Sequence, residues 1–411
     1  MNTTFFSHVL DDPLYIGDGE YVSVVTSGKV NVVGETRDAN KDAAAKAGLL
    51  RVDTKTGQSI FIDFTAYSEV GDRYRGAVVI DNKVYVMRTQ KKHIDSTVRL
   101  VAIDLSENTV EMIQERAISV HGTETPKTFC GHFNFGRAVT AGTKIIYPPL
   151  NSGIVIVYDT VARTFVAHDV PDDFSSIWTS YVPELNQAVF FPYGNRTNKL
   201  LVLDLATNEH RFIEALSENS FYCAFNHNGK AIGVPHIMGS KSQMYFWVYD
   251  GESVQSVEYK PSAGHIEGSN GFKYGSVSDD VFYAHTSSDN SHDLVKFDLK
   301  NNEITVVPST SALGAKPVTV NGSTYLFPSI LNTRTMDAPA GVFKLVNGQI
   351  VKEFELPTNN ISYGPINETD STVLFVPYRF DLIDGKLASQ LTIVDLANST
   401  AKTLEVSLDL E

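Results

Sequence analysis

The residues best suited to bind or transform a ligand recur at one place in a repeated pattern. Arg88, Tyr193, His236, His285 and Tyr378 each close a short apolar run, in KVYVMR (83–88), AVFFPY (188–193), AIGVPH (231–236), DVFYAH (280–285) and VLFVPY (373–378). Arg379 adjoins the last of these, and Ser329 holds the same place in STYLFPS (323–329). A second set stands near the start of the apolar stretch upstream of each run: Arg73, Arg75, His132, Arg137, Trp178 and Lys273. Arginine forks pair with carboxylates, aromatic faces stack on sugars or cations, and imidazoles exchange protons near neutral pH. Together the two sets suit a carboxylate, a sugar or an acidic peptide.

Catalysis asks for more, namely a general base beside a nucleophile or metal. His236 and His285 lie in neighbouring repeats and could share a metal with His132 or an acidic group as third ligand. Spacing cannot test that site, because separate repeats supply each residue; with no C-x-x-C or His-x-x-x-His pattern for structural zinc and an ordinary count of eleven histidines in 411 residues, the expectation is no metal and no cofactor. No G-x-S-x-G elbow announces a serine nucleophile. SSDNSHD (287–293) lacks the ligand order of a calcium loop and reads as a solvated loop.

The elements that must position these residues come from the repeat. Its clearest copy is NKLLVLDLATNEHRFIE (198–214): an apolar strand, a turn opened by Asp204, Asn208 four residues on, then a return strand. Asp53, Asp104, Asp159, Asp298 and Asp395 open the same turn, with Gly57, Asn108, Arg163, Asn302 and Ser399 four positions later. Asp250-Gly251 and Asn347-Gly348 are shorter versions between apolar runs, a strong hairpin signal. Successive markers are 51, 55, 45, 46, 48, 49 and 48 residues apart. Two further strands precede each hairpin, the second often ending in Pro, which suits a strand end because it has no N–H to donate. The upstream strands begin near aromatics, as in RYRGAVVI (73–80), HFNFGRAVT (132–140), IWTSYVPEL (177–185), FYCAFNHN (221–228), FKYGSVS (272–278) and ISYGPIN (361–367).

Four strands per ~50-residue unit, in meander order, predict an all-β propeller of four-stranded antiparallel blades. Eight blades are favoured, with seven if the first unit merges with the last. The units fall near 1–65, 66–116, 117–170, 171–216, 217–260, 261–308, 309–357 and 358–411, forming one domain. FFSHVL (5–10) is expected either as the innermost strand of the first blade or as a join to the last. The polar, Ala-rich stretch 34–48 is the one piece with helical character. The strand–Pro–loop–strand–Asp-turn pattern resembles kelch-type β-propellers along the whole chain, although the paired glycines of kelch repeats and the Trp-Asp pairs of WD repeats are missing. The resemblance implies architecture and brings no activity. On this architecture the two residue sets would gather on the rim of a channel mouth.

The net charge of −14 argues against DNA, RNA or anionic lipid as a partner. No apolar run reaches the ~20 residues of a membrane span, and the N-terminus lacks a basic-then-apolar leader. These features suggest a cytoplasmic or virion-associated protein. Cys130 and Cys223, in different repeats, read as two thiols. Near-uniform repeats without a catalytic motif favour a non-enzymatic subunit of a larger assembly, such as a virus particle, that recognises a protein or carbohydrate. The alternative is a hydrolase or lyase acting on a sugar or small ester at the channel mouth.

Overall fold

The computed structural model describes residues 4–7, 14–30, 46–68, 72–90, 98–115, 135–171, 173–194, 197–236, 244–260, 272–286, 294–307, 315–328, 341–357, 371–375, 380–383 and 386–409. Among these are 33 strands, two 3₁₀ turns and no α-helix. No described helix is long and apolar enough to cross a membrane.

Six sheets have four strands each, in sequence order. The third unit, for example, runs Val139–Ala141, Lys144–Tyr147, Ile154–Asp159 and Thr164–Asp169. The fourth runs Thr179–Val182, Gln187–Phe190, Thr197–Asp204 and His210–Asn219. The fifth runs Phe221–His227, Lys230–Pro235, Met244–Tyr249 and Val254–Tyr259. The sixth runs Phe272–Ser278, Val281–Thr286, Leu294–Asp298 and Glu303–Val307. The first and eighth units join in one nine-stranded sheet. The link is Thr4–Ser7, which pairs with Glu20–Val30 of the first unit and with Phe380–Ile383 of the eighth. FFSHVL therefore bridges the two terminal units through its first residues. The eighth is the small unit, a meander of Thr372–Phe375, Lys386–Asp395 and Thr400–Asp409. Its inner strand, expected at 361–367, lies outside the described residues.

The third strand of most units is an apolar run buried on both faces, as Ile154–Asp159 and Met244–Tyr249 show. The fourth strand is largely exposed, as in Thr164–Asp169 and Gln349–Glu355. Each sheet is thus covered on both faces near its middle and open at its outer strand. By its contacts the chain forms two compact units, Met1–Arg88 with Val101–Met112 and Leu313–Glu411, and Thr89–Leu100 with Ile113–Ala312. The first is centred on Val22, Leu49, Tyr74, Val84 and Ile103, and on Val318, Phe327, Val342 and Val394. The second has cores around Ile146, Phe190 and Leu201, around Phe221 and Trp247, and around Phe246, Phe272 and Phe297.

The Asp-opened turns form as expected. The Asp204 carboxylate accepts from the N–H groups of Ala206 at 2.9 Å and Thr207 at 3.0 Å. The Asp159 and Asp298 carboxylates accept at the same two offsets. Four residues on, Gly57, Asn108, Asn208 and Asn302 have positive φ. Arg163 and Ser399 also do, at 57° and 51°. The turn geometry therefore overrides the preference of those two residue types.

One further contact recurs. The N–H of the residue after the Asp donates to the carbonyl of the turn between the unit's first two strands. Thr54 reaches Gly19, Leu105 Asn82, Thr160 Thr143, Leu205 Asn186, Leu299 Asp280, and Leu396 Ser371, all within 3.0 Å. Where that residue is Leu, its side chain enters the core of the preceding sheet. Leu205 packs with Ile146 and Val157, and Leu299 with Ile232, Phe246 and Val248.

Three expectations need correction. Residues 46–48 belong to the strand Lys46–Asp53, paired with Ser27, Thr26 and Val25, and are not helical. Of the strand expected at 132–140, residues 132–134 lie outside the described residues and the rest is regular only from Val139, because Pro148 and Pro149 opposite it lack N–H groups; Phe135 makes an isolated bridge to Pro149. In 177–185 the strand stops at Val182, where Pro183 starts a 3₁₀ turn closed by left-handed Asn186.

Asn208→Val should cost about 1 kcal/mol or more, since a β-branched residue is strained at its φ of 59°. A thermal melt reads this directly. Asp204 is held below the usual carboxylate range, chiefly by the Thr207 N–H and then by that of Ala206. A carboxylate with a lowered folded pKa stabilises above its unfolded value of about 4 and loses that contribution as pH falls through the folded value. The stability gap between the native chain and Asp204→Ala should therefore narrow as pH drops below about 4, as measured by chemical denaturation.

Candidate functional site

The strand ends bearing the expected site residues are tied together by backbone hydrogen bonds within the second compact unit. The Tyr193 N–H donates to Ser175 O, and the His236 N–H to Ser220 O, both at 2.7 Å. Prolines at these and the matching strand end of the third unit only accept. Pro192 O takes the N–H of Phe221 in the next sheet, and Pro149 O takes that of Ser176. A proline at this position leaves no orphan donor, and its carbonyl is used across the sheet interface. Short polar side chains complete the corner. Ser176 Oγ donates to Trp178 O at 2.9 Å, Gly194 N–H to Ser220 Oγ at 3.1 Å, and Asn219 Nδ2 to Tyr245 O. The strand ends are therefore fixed before any ligand arrives.

This frame brings four of the expected residues to one corner. His236 is 5% exposed and stacks on Tyr193, with ring centroids 6.3 Å apart and planes inclined by 13°. Tyr222 leans on His236 at 5.2 Å and meets Tyr193 edge-on at 6.0 Å. Trp178 and Tyr222, both half-buried, pack against the apolar group of Leu150, Ile177 and Tyr193. The Arg137 guanidinium lies 4.5 Å above the Trp178 ring centroid. Arg137 is placed by its own N–H to Ile177 O at 2.8 Å, beside Gly136. A Cβ on Gly136 would come within 2.3 Å of Ile177 O, so this close approach requires glycine. Tyr222 escaped sequence reasoning. Its only signal is adjacency to Phe221, the aromatic that starts the inner strand.

Arg88 lies in the first compact unit and does different work. Its guanidinium faces Asp72 at 3.6 Å, with both side chains 2% exposed. This is a buried ion pair between the first two strands of the second unit. Arg73, Arg75, Lys273 and His285 stand in strands, at Asp72–Ile80, Phe272–Ser278 and Val281–Thr286. His132, Ser329, Tyr378 and Arg379 lie outside the described residues. Among the described residues no three His, Cys, Asp or Glu side chains converge as metal ligands. Cys223 is a buried free thiol, and Cys130 lies outside the described residues.

No protein-family profile and no curated protein matches the sequence. Solved structures do. A prolyl endopeptidase is similar at TM-score 0.50 and 10% identity, over 100% of this chain and 55% of that one. A putative 6-phosphogluconolactonase from Bacteroides fragilis gives 0.49 and 14%, over 97% and 98%. The β-propeller domain of the Trilobed protease from Pyrococcus furiosus gives 0.44 and 13%, over 86% and 98%. The chain is a β-propeller. At such identities the likeness establishes the fold alone, and the chain spans about half the length of the prolyl endopeptidase. The comparisons also correct the expectation of a non-enzymatic, virion-type assembly subunit. A prolyl endopeptidase is among the chains that share this fold. Regular repeats and a missing motif therefore do not set this propeller apart from enzymes.

Arg88→Ala should destabilise the protein by about 3–5 kcal/mol, because it strands a buried Asp72 carboxylate. Replacing both partners with apolar residues should cost less than removing Arg88 alone. Denaturant titration of the single and double variants checks this.

Proposed function

We propose that the chain is a propeller hydrolase or lyase acting on a sugar or small ester, with His236 at the centre of its site. The observation that carries this reading is His236 set against Tyr193 and Tyr222, beside the Arg137–Trp178 pair. Each part has a chemical use. Half-buried Trp178 and Tyr222 offer aromatic surface for a sugar ring. Arg137 would hold a carboxylate or a developing oxyanion. His236 would take a proton from attacking water, or from carbon in a lyase, and return it to the leaving group. Similarity to a prolyl endopeptidase supports the reading to the extent that this fold occurs within hydrolases. On the strand–Pro–loop–strand–Asp-turn pattern, the kelch-type group is the propeller kin we favour.

The native chain should turn over at least one member of a panel of sugar lactones and small aryl esters. His236→Ala should lower kcat about 100-fold or more, the usual scale of a lost general acid–base. Trp178→Ala should chiefly raise KM. Unchanged turnover in a folded His236→Ala variant, or no turnover across the panel, would overturn the proposal.

A further inference from the structure

At the opposite strand ends, where the Asp turns lie, a cation from one sheet repeatedly reaches the next. Its target is the carbonyl of the residue after the turn-opening Asp. Arg51 Nη1 donates to Leu105 O at 2.7 Å, and Lys144 Nζ to Leu205 O at 3.0 Å. Arg211 Nη2 donates to Gly251 O at 3.0 Å, and Lys402 Nζ to Thr54 O at 3.0 Å. The contact is made at these four junctions among the described residues, and it is not made between the fifth and sixth sheets. Lys230 begins its strand one residue after the first turn, as Lys144 does. The matching carbonyl is that of Leu299. No side-chain cation reaches it among the described residues, and the Lys230 side chain has no hydrogen-bond or ion-pair partner among them.

A cavity of about 280 Å³ occupies the place of that contact. Lys230, Lys300, His227, Asn228, Asn302 and Asp280 supply its polar wall, and Ile232, Val248 and Leu299 its aliphatic floor. Asp280 is the one carboxylate in the lining, and it is already engaged. His227 Nε2 lies 2.9 Å from its Oδ1, and Asn228 Nδ2 donates to the same oxygen at 3.1 Å. Lys300 is exposed; its backbone N–H serves the Asp298 turn, and its charge also acts on the Asp298 carboxylate. Two lysines thus line a partly enclosed space on a protein of net charge −14. The aliphatic floor excludes some water and strengthens their field.

We propose that this cavity binds a small molecule through a phosphate or carboxylate group held by Lys230 and Lys300. The aliphatic floor would carry the ligand's body, and the volume limits it to roughly the size of one sugar unit. The site shares no residue with the His236 corner, so the two proposals stand or fall separately.

Calorimetric titration at low salt tests it, with inorganic phosphate, glucuronate and neutral glucose as probes. Phosphate or glucuronate should bind in the millimolar range or tighter, and glucose should not. Whichever anion binds more tightly identifies the group. Lys230→Met should weaken binding about tenfold or more, and Lys230→Arg should keep most of it. Thermal melts establish that each variant is folded. Absence of binding by both anions, or full affinity in folded Lys230→Met and Lys300→Met, would overturn the proposal.

Discussion

The structure depends on one small contact made at the turn end of most of its units. The N–H after six of the turn-opening Asp residues is fixed to the carbonyl of the turn between the first two strands. Where the next residue is Leu, its side chain then points into the preceding sheet. Two energies are involved. The carboxylate–amide bonds of exposed turns contribute about 0.5–1.5 kcal/mol each. Burying a Leu contributes about 1.5–3 kcal/mol, and Leu105, Leu205, Leu299 and Leu396 are all at most 5% exposed. Packing therefore outweighs the turn bonds. The Asp sets the direction of the chain, and the Leu holds neighbouring sheets together. In the fifth unit Gly251 replaces the Leu, and polar groups take over. Tyr249 Oη donates to Gln187 Oε1 at 2.9 Å, and Arg211 reaches both Tyr249 and Gly251.

At the other strand ends, prolines do the corresponding work. Their carbonyls join adjacent sheets, and the residues that follow are held by serine carbonyls. The two ends are thus rigid for different reasons. The aromatic and histidine corner sits on the proline-linked frame, and the lysine-lined cavity sits where one cross-sheet contact of the turn end is missing. A regular repeat makes both legible, since departures from it stand out.

Much of this was readable from residues alone. The Asp-x-x-x-Asn/Gly period gave the hairpins and the all-β propeller, because turn chemistry is local and survives any tertiary context. The Pro-ended strands placed Tyr193 and His236 at equivalent positions, and the structure brings them within stacking distance. Other features were not readable. Arg88 belongs to the same pattern as His236, but an ion pair with Asp72, sixteen positions upstream, depends on which strands face each other. Arg137 over Trp178 joins two sheets, and no spacing rule reports that. The helical reading of 34–48 failed at 46–48, where composition suggested Ala-rich helix but pairing with the long strand Glu20–Val30 prevailed. The non-enzymatic reading failed for a different reason. It took the absence of a linear motif as evidence, whereas in a propeller separate blades can supply each member of a site.

Native-state hydrogen exchange of the Leu105, Leu205, Leu299 and Leu396 amides tests the central claim most directly. If the contact after the Asp organises the sheets, these amides should exchange only when their compact unit opens as a whole, with opening free energies near that unit's full stability. Exchange as fast as that of the exposed outer strand Thr164–Asp169 would contradict the account, because the turns would then be ornaments on sheets held together by something else.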